Sequence, residues 1–479
     1  MASVKAINRM DIAESNTQVV PNKSDRDLLG LSLILLSSVL LGIWAVKGTI
    51  ALRNILLGVE TVLSIFYCYR FFKTNTQKIP LKNWIPIIMV GMMFCWVIFH
   101  YFFLSLYPHI QLLELKTTWF RSVLASIVSL GTGIAILRRP NSFSLLWLGI
   151  TASFLYLITQ NIFLRMSENQ INVYEYADYI YRGKINAVLM GIILLSGLLG
   201  GTLDRFKKIN FSLKCFLIFL CAQAFLLVLY TYVYVLDTRN GVGLIFILVG
   251  IFSFNALTFM TQAGIRNLEF RRIAPIIFLV LLLITLLGVF SKQQAKINSG
   301  WSSMIDDVIV ASHIHSVPNW QNINAMGYPT NQSGDKVKQN TYERVAWGVA
   351  GATIFIPQNP FGIGVMKGVF GKILMEYNPE ADIRTRSTHS AWIDLTLAYG
   401  FPSLLFLLGS LLFILILSYN VNRSFGYMPA LLSSQIIFAY LVGELTSQHS
   451  IEILVFFIVI LTTLLFPEPL DQSLKQNKG

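Results

Sequence analysis

Residues 274–290 read APIIFLVLLLITLLGVF, seventeen positions without a charge, preceded by Arg271 and Arg272 and followed by Lys292. Coiled into a helix, such a run comes close to crossing about 30 Å of hydrocarbon. Similar runs recur along the chain, separated by short charged breaks, and about twelve can be counted. The predicted spans are Leu28 to Val46, Ile50 to Phe72, Trp84 to Leu106, Trp119 to Leu137, Leu145 to Phe163 and Ile185 to Leu203. They continue with Phe211 to Val235, Val242 to Thr261, Ala274 to Phe290, Pro402 to Ser418, Met428 to Leu445 and Ile451 to Phe466. Composition agrees: 54% of the 479 residues are hydrophobic and only 13% charged, too few charges to cover a water-soluble surface. Backbone polar groups in lipid must be satisfied within the segment, so the runs predict an all-α integral membrane protein.

The net charge of +13 invites a nucleic-acid reading. In a membrane protein, however, excess Lys and Arg mark the cytoplasmic loops, so no nucleic-acid partner is expected. One set of alternate short loops holds Arg70, Lys73, Lys78, Lys82, Arg138, Arg139, Arg205, Lys207, Lys208, Lys214, Arg266, Arg271, Arg272 and Arg423. The other holds only Lys47, Arg53, Lys116, Arg121, Arg165, Arg182, Lys184 and Arg239. The richer set is cytoplasmic by the positive-inside rule. This divides the chain into a cytoplasmic tail (1–27), nine spans (28–290), a large outer loop (291–389), three spans (390–466) and a second cytoplasmic tail (467–479). The first tail is polar, without the apolar core of a cleaved signal peptide, so the first span is expected to act as its own insertion signal. Cys68, Cys95, Cys215 and Cys221 lie in or beside apolar runs and are read as buried thiols, with no disulfide framework or zinc spacing.

The outer stretch far exceeds what a connection needs. Ser291 to Gln339 has a loop-like composition rich in Asn, Gln, Gly and Pro. Asn340 and Glu343 form a capping-box pattern that predicts a helix over Tyr342 to Phe355, ended by Pro357. A turn, Asn359-Pro360-Phe361-Gly362-Ile363-Gly364, leads to an amphipathic piece, Lys367 to Tyr377, and a charged linker, Glu380 to Arg386, delivers Ser387-Thr388-His389-Ser390.

Several residues there carry chemistry. With Ser387 as N-cap, His389 falls in the first turn of a helix that Gly400 and Pro402 end; a helix N-terminus keeps an imidazole neutral and able to accept a proton. An exposed interfacial histidine is the alternative. Arg344, in the first turn of the loop helix, and Arg239, in a very short outer loop, suit a pyrophosphate at headgroup depth because guanidinium groups bind phosphate oxygens bidentately. Anchoring to lipid headgroups is the other reading. Arg182, before span six, is a possible further anion contact, and Glu444, at the outer end of span eleven, a possible substrate-binding residue. His313 and His315 lack a third ligand and Asp306-Asp307 is adjacent rather than spaced, so no metal or other cofactor is expected.

The order of these features resembles the bacterial O-antigen ligases and, more broadly, the O-antigen ligase and polymerase superfamily. The match rests on Thr238-Arg239, on Arg344-Val345-Ala346-Trp347 followed by the Asn359 to Gly364 turn, on Thr388-His389-Ser390 with Gly400, and on Gly443-Glu444. Many relatives have Asn after the histidine and some ligases have Asp at the Glu444 position. The resemblance implies a GT-C-like inner-membrane glycosyltransferase with a large, partly helical periplasmic loop between spans nine and ten. Its donor would be O-antigen polysaccharide on undecaprenyl pyrophosphate, its acceptor a sugar hydroxyl of the lipid A core, and its transfer inverting and metal-independent. His389 would be the catalytic residue, with Arg239 and Arg344 on the pyrophosphate. An O-antigen polymerase uses the same donor with a lipid-linked acceptor. A flippase or other transporter would instead need several ionisable residues at mid-membrane, whereas only Glu60, His100 and a few interfacial arginines intrude here.

Overall fold

The computed structural model describes residues 27–75, 78–167, 181, 183–206, 209–262, 270–297, 301, 303–381, 387–419 and 425–467. Regular structure among them is helical, with two isolated bridges, Val46 to Tyr181 and Thr330 to Lys336, and no strand. In chain order the helices are α1 (Leu28–Ile43), α2 (Ile50–Thr74), α3 (Leu81–Phe103), α4 (Pro108–Arg138), α5 (Pro140–Phe163), α6 (Lys184–Arg205), α7 (Phe211–Val235) and α8 (Arg239–Thr261). There follow α9 (Ala274–Ile297), α10 (Met304–Ser312), α11 (Gln339–Ala350), α12 (Val369–Tyr377), α13 (Ala391–Tyr399), α14 (Phe401–Ser418), α15 (Tyr427–Val442) and α16 (Gln448–Leu464). Among the described residues nine of them, α2 to α9 and α14, are long and apolar enough to cross a membrane, and α1, α15 and α16 are shorter apolar helices. The protein is therefore an all-α, multi-pass membrane protein.

Burial shows how such a sequence sorts itself when lipid is the outer solvent. α2 turns Leu57, Glu60, Ser64 and Cys68 inward at helical spacing and Val59, Val62 and Phe66 outward. The polar side chains point in and the greasy ones out. α16 is buried all round, every residue except Gln448, among α3, α4, α14 and α15. Asp204, near the end of α6, holds the start of α15: its Oδ1 accepts from the backbone N–H of Gly426 (2.9 Å) and Tyr427 (2.8 Å), and Oδ2 from that of Met428 (2.9 Å). These are the donors a helix N-terminus leaves without an intrahelical acceptor. We expect Asp204→Ala to lose about 1–3 kcal/mol for each donor left buried and unpaired. A thermal melt of the detergent-solubilised protein should read this as a clear drop in Tm, with Asp204→Asn intermediate.

The structure departs from the sequence expectations at several places in the bundle and loop. Span four begins at Pro108, well before Trp119. Gln111 and Glu114, in the gap between the predicted spans three and four, are both buried and bonded, Gln111 to Val97 O at 3.1 Å and Glu114 to the loop described below. The stretch from Ser291 to Gln339 is less open than its composition suggests, because α9 runs on to Ile297 and α10 forms beyond it. Asp307, fully buried, accepts from Ser303 Oγ (3.0 Å), Asn331 Nδ2 (3.2 Å) and the backbone N–H of Lys338 (3.1 Å), so the polar residues there cross-link helices. The capping box does not form: α11 starts at Gln339, and Glu343 accepts instead from Tyr328 OH (2.6 Å) and Gln339 Nε2 (3.1 Å). α11 also passes through a π turn, Gly351–Phe355, into a last turn, Ile356–Gln358, that contains Pro357. Finally, Cys68 and Cys221 are buried but Cys95 and Cys215 are exposed, on faces turned away from the bundle. Both tails beyond Asp27 and Pro467, and residues 382–386 of the charged linker, lie outside the described residues.

Candidate functional site

The turn Asn359 to Gly364 sets the geometry at the end of the bundle that carries the large loop. Ile363 N–H donates to Leu397 O (3.0 Å) and Gly364 N–H to Ala398 O (2.8 Å), while Phe401 N–H returns a bond to Pro360 O (3.0 Å). The approach is so close that a Cβ on Gly400, whose φ is +72°, would fall 2.4 Å from Phe361 Cα. Beneath it, Glu114 of α4 accepts from the backbone N–H of Met366 (3.0 and 3.1 Å) and Lys367 (3.1 Å) and from Tyr399 OH (3.0 Å). α13 is thereby clamped between the loop and the bundle, and the residues just before it are fixed in place.

His389 is one of them. The structure corrects its expected position: Ser390, not Ser387, occupies the N-cap of α13, so His389 lies just ahead of the helix with φ +59°. A non-glycine residue held there is strained and needs its surroundings to keep it. Asp394 supplies part of this, since its Oδ1 accepts from Thr388 N–H (3.0 Å) and Thr388 Oγ1 (2.9 Å) and folds the segment back on the helix. The imidazole then stacks on Trp347 of α11, centroids 5.6 Å apart and planes 14° apart, and its Nδ1 lies 3.4 Å from Glu444 Oε2. With Nδ1–H directed at a carboxylate, Nε2 is the nitrogen left to accept a proton.

Two carboxyls beside this histidine are driven in opposite directions. Burial alone would raise Glu444, but hydrogen bonds from His389 and Ser387 and the charge of Arg344 outweigh it and hold its carboxyl below the ordinary value. Asp394 is pushed up to about 7 by burial, against the two Thr388 hydrogen bonds and with the negative Glu444 adding to the rise. One is thus a charged partner for the ring and the other a proton-holding brace. Since the folded protein holds the Asp394 proton more tightly than the unfolded chain, stability should fall as pH rises from about 4 through about 7, and then level off. Asp394→Asn should abolish that part of the fall. Melts of both proteins across this range check it: a constant difference in Tm would refute the assignment.

Arg239 and Arg344 meet in one cavity of about 580 Å³, whose lining also includes Lys184, Lys338 and Asp237. Four cations face one carboxylate. α7 ends in a π turn, Thr231–Val235, and the chain reverses through Asp237 (φ +43°), whose Oδ1 accepts from Gln294 Nε2 of α9 (2.7 Å). Lys184 Nζ donates to Leu236 O (2.8 Å) and Asp237 O (3.3 Å), and Thr238 Oγ1 accepts from Gly241 N–H (3.3 Å), so Arg239 opens α8 at a capped N-terminus. The N-terminus of α8 adds positive potential there. The cavity and the segment that carries the histidine are joined through two successive carbonyls. Val442 O accepts from Arg344 Nη1 and from Asn240 Nδ2, both at 3.1 Å, and the next residue, Gly443, accepts from Ala391 N–H (3.0 Å).

Arg239, Arg344, His389 and Glu444, picked from four separate segments, thus lie together at one end of the bundle, whereas Arg182 lies outside the described residues. His313 and His315 stay apart: His313 Nδ1 lies 2.6 Å from Ile309 O, and no group of three His, Cys, Asp or Glu gathers among the described residues. Sequence reasoning missed Lys338, Glu114 and Asp394. A signal existed for Asp394, an acid five residues after the histidine in an otherwise apolar helix. Comparison with known proteins found no matching family model, no matching curated protein and no matching solved structure.

Proposed function

We propose that this chain is a glycosyltransferase of the O-antigen ligase kind, moving a glycan from a polyprenyl pyrophosphate to a sugar hydroxyl at the outer face of a bacterial inner membrane. The observation that carries this reading is the juxtaposition just described: a cavity lined by Arg239, Arg344, Lys184 and Lys338, with His389 on Glu444 beside it. A pyrophosphate leaving group is the charge such a cavity suits, because guanidinium groups offer paired donors to its oxygens and stabilise the charge that develops as the glycosidic bond breaks. Nε2 of His389 takes the proton of the attacking hydroxyl, and Glu444 stabilises the imidazolium that results. Attack from the side opposite the leaving group inverts the anomeric centre. The cations here occupy the electrostatic role a divalent ion would otherwise fill, so transfer should survive excess chelator.

The reading also needs a topology: twelve crossings, both tails cytoplasmic, and residues 291–389 in the periplasm. The Lys and Arg asymmetry between alternate loops supports it. A reporter fused after Gln332 should be periplasmic and one after Lys208 cytoplasmic; the opposite pattern would place the cation-lined cavity on the wrong side for the donor. The deciding experiment is the lipopolysaccharide profile of a deletion strain. Core without any O-antigen, with lipid-linked polysaccharide accumulating, is the expected result. Core bearing a single repeat unit would make the chain a polymerase, and normal chains would overturn both.

A further inference from the structure

A second polar cluster lies deep in the bundle, away from the loop end. Glu60 stands near the middle of the 25-residue α2, on its inward stripe, and is fully buried. Its Oε2 accepts from Ser37 Oγ of α1 at 2.7 Å, and Ser37 Oγ lies 2.7 Å from Thr132 Oγ1 of α4. Ser37 has one proton and gives it to Glu60, so Thr132 donates to Ser37. The other carboxyl oxygen, Oε1, has no hydrogen-bond partner among the described residues, and neither has the hydroxyl of Ser64 one turn along the same stripe. Gly131 brings the backbone of α4 against that hydroxyl, close enough that a Cβ would fall 2.5 Å from Ser64 Oγ. No charged side chain of α1, α2 or α4 acts on Glu60 among the described residues; burial and the Ser37 hydrogen bond are its only influences.

A lone carboxylate in a hydrocarbon interior is too costly to persist, so a positive charge must accompany it. We propose that Glu60, Ser37, Ser64 and Thr132 form an intramembrane site for one monovalent cation, a proton or a sodium ion, where α1, α2 and α4 meet. The donors are a carboxylate and three hydroxyls, all hard oxygen atoms, with no sulfur or imidazole among them. One carboxylate cancels one charge, and a divalent ion would leave an excess positive charge in the same dry surroundings. The inward stripe of α2 explains why a residue so expensive in lipid is placed here: it faces other helices' hydroxyls rather than acyl chains. The site stands apart from the glycosyltransferase reading.

The test uses full-length protein in detergent micelles and dicyclohexylcarbodiimide, an apolar reagent that adds to protonated intramembrane carboxyls. Peptide mass spectrometry reads the rate of modification at Glu60, with Glu60→Gln as the blank. We expect Glu60 to react, and its rate to fall on the order of tenfold for each pH unit once the buffer is alkaline enough to remove the proton. Protection by sodium chloride at fixed pH, absent with choline chloride, identifies a sodium ion; sensitivity to pH alone identifies a proton. In Thr132→Val the half-protecting sodium concentration, or the pH midpoint, should move. Failure of wild-type Glu60 to react, or a rate indifferent to both pH and sodium, would overturn the proposal.

Discussion

His389→Ala is expected to lower turnover by about 10²- to 10⁴-fold, the range general-base catalysis supplies, while leaving binding of the lipid-linked donor unchanged. The separation follows from where the ring stands. It rests on Trp347 and on Glu444, outside the group of residues that line the cationic cavity, so its loss removes a proton acceptor and no anion contact. Glu444→Gln keeps a hydrogen-bond acceptor but no charge to stabilise the imidazolium, and should fall between wild type and His389→Ala. Turnover and donor binding must be measured separately on purified protein. If His389→Ala abolished donor binding instead, the histidine would be a binding group and the proton acceptor would have to be sought elsewhere.

Arg344→Lys and Arg239→Lys probe the other half of the site. Each keeps the charge and loses the planar fork, so each should cost about 1.5–3 kcal/mol, roughly ten- to a hundredfold in transfer. Arg344 should be the more sensitive. Its Nη1 also holds Val442 O, which Asn240 shares, and its charge helps to keep Glu444 ionised beside His389. Arg344→Lys therefore loosens the link between cavity and histidine as well as the anion contact, and should cost more transfer than Arg239→Lys does. Normal turnover by both lysine variants would discard the pyrophosphate role.

Much of the membrane architecture is legible in the sequence because the apolar runs and the helices answer to the same requirement of length and internal hydrogen bonding. Phe211 to Val235 matches to the residue. The start of α4 is not legible, since Glu114 looks like a solvent-facing residue until the loop some 250 positions later supplies the Met366 and Lys367 N–H groups as its donors, and Gln111 until α3 supplies Val97 O as its acceptor. The same holds for the site. Arginine and histidine could be chosen for what their side chains can do, but that Arg239 and Arg344 line one cavity depends on the tertiary fold that brings the start of α8 and the start of α11 to the same pocket. The position of His389 was misread for a local reason: serine at 387 and at 390 are equally good caps, and only the Thr388 to Asp394 bonds choose between them.

The burial of α16 on every side bears on how the molecule is made. Ribosomes deliver a chain from its N-terminus, so the helix that fills the centre of the bundle arrives after the helices that enclose it. At ~5–20 residues per second, the earlier ones wait on the order of tens of seconds. During that interval Gly133 of α4 lacks the Thr463 side chain against which it closes, and the α4 groove is open. Biogenesis must therefore keep a cleft in a half-built bundle from collapsing or pairing with a foreign helix.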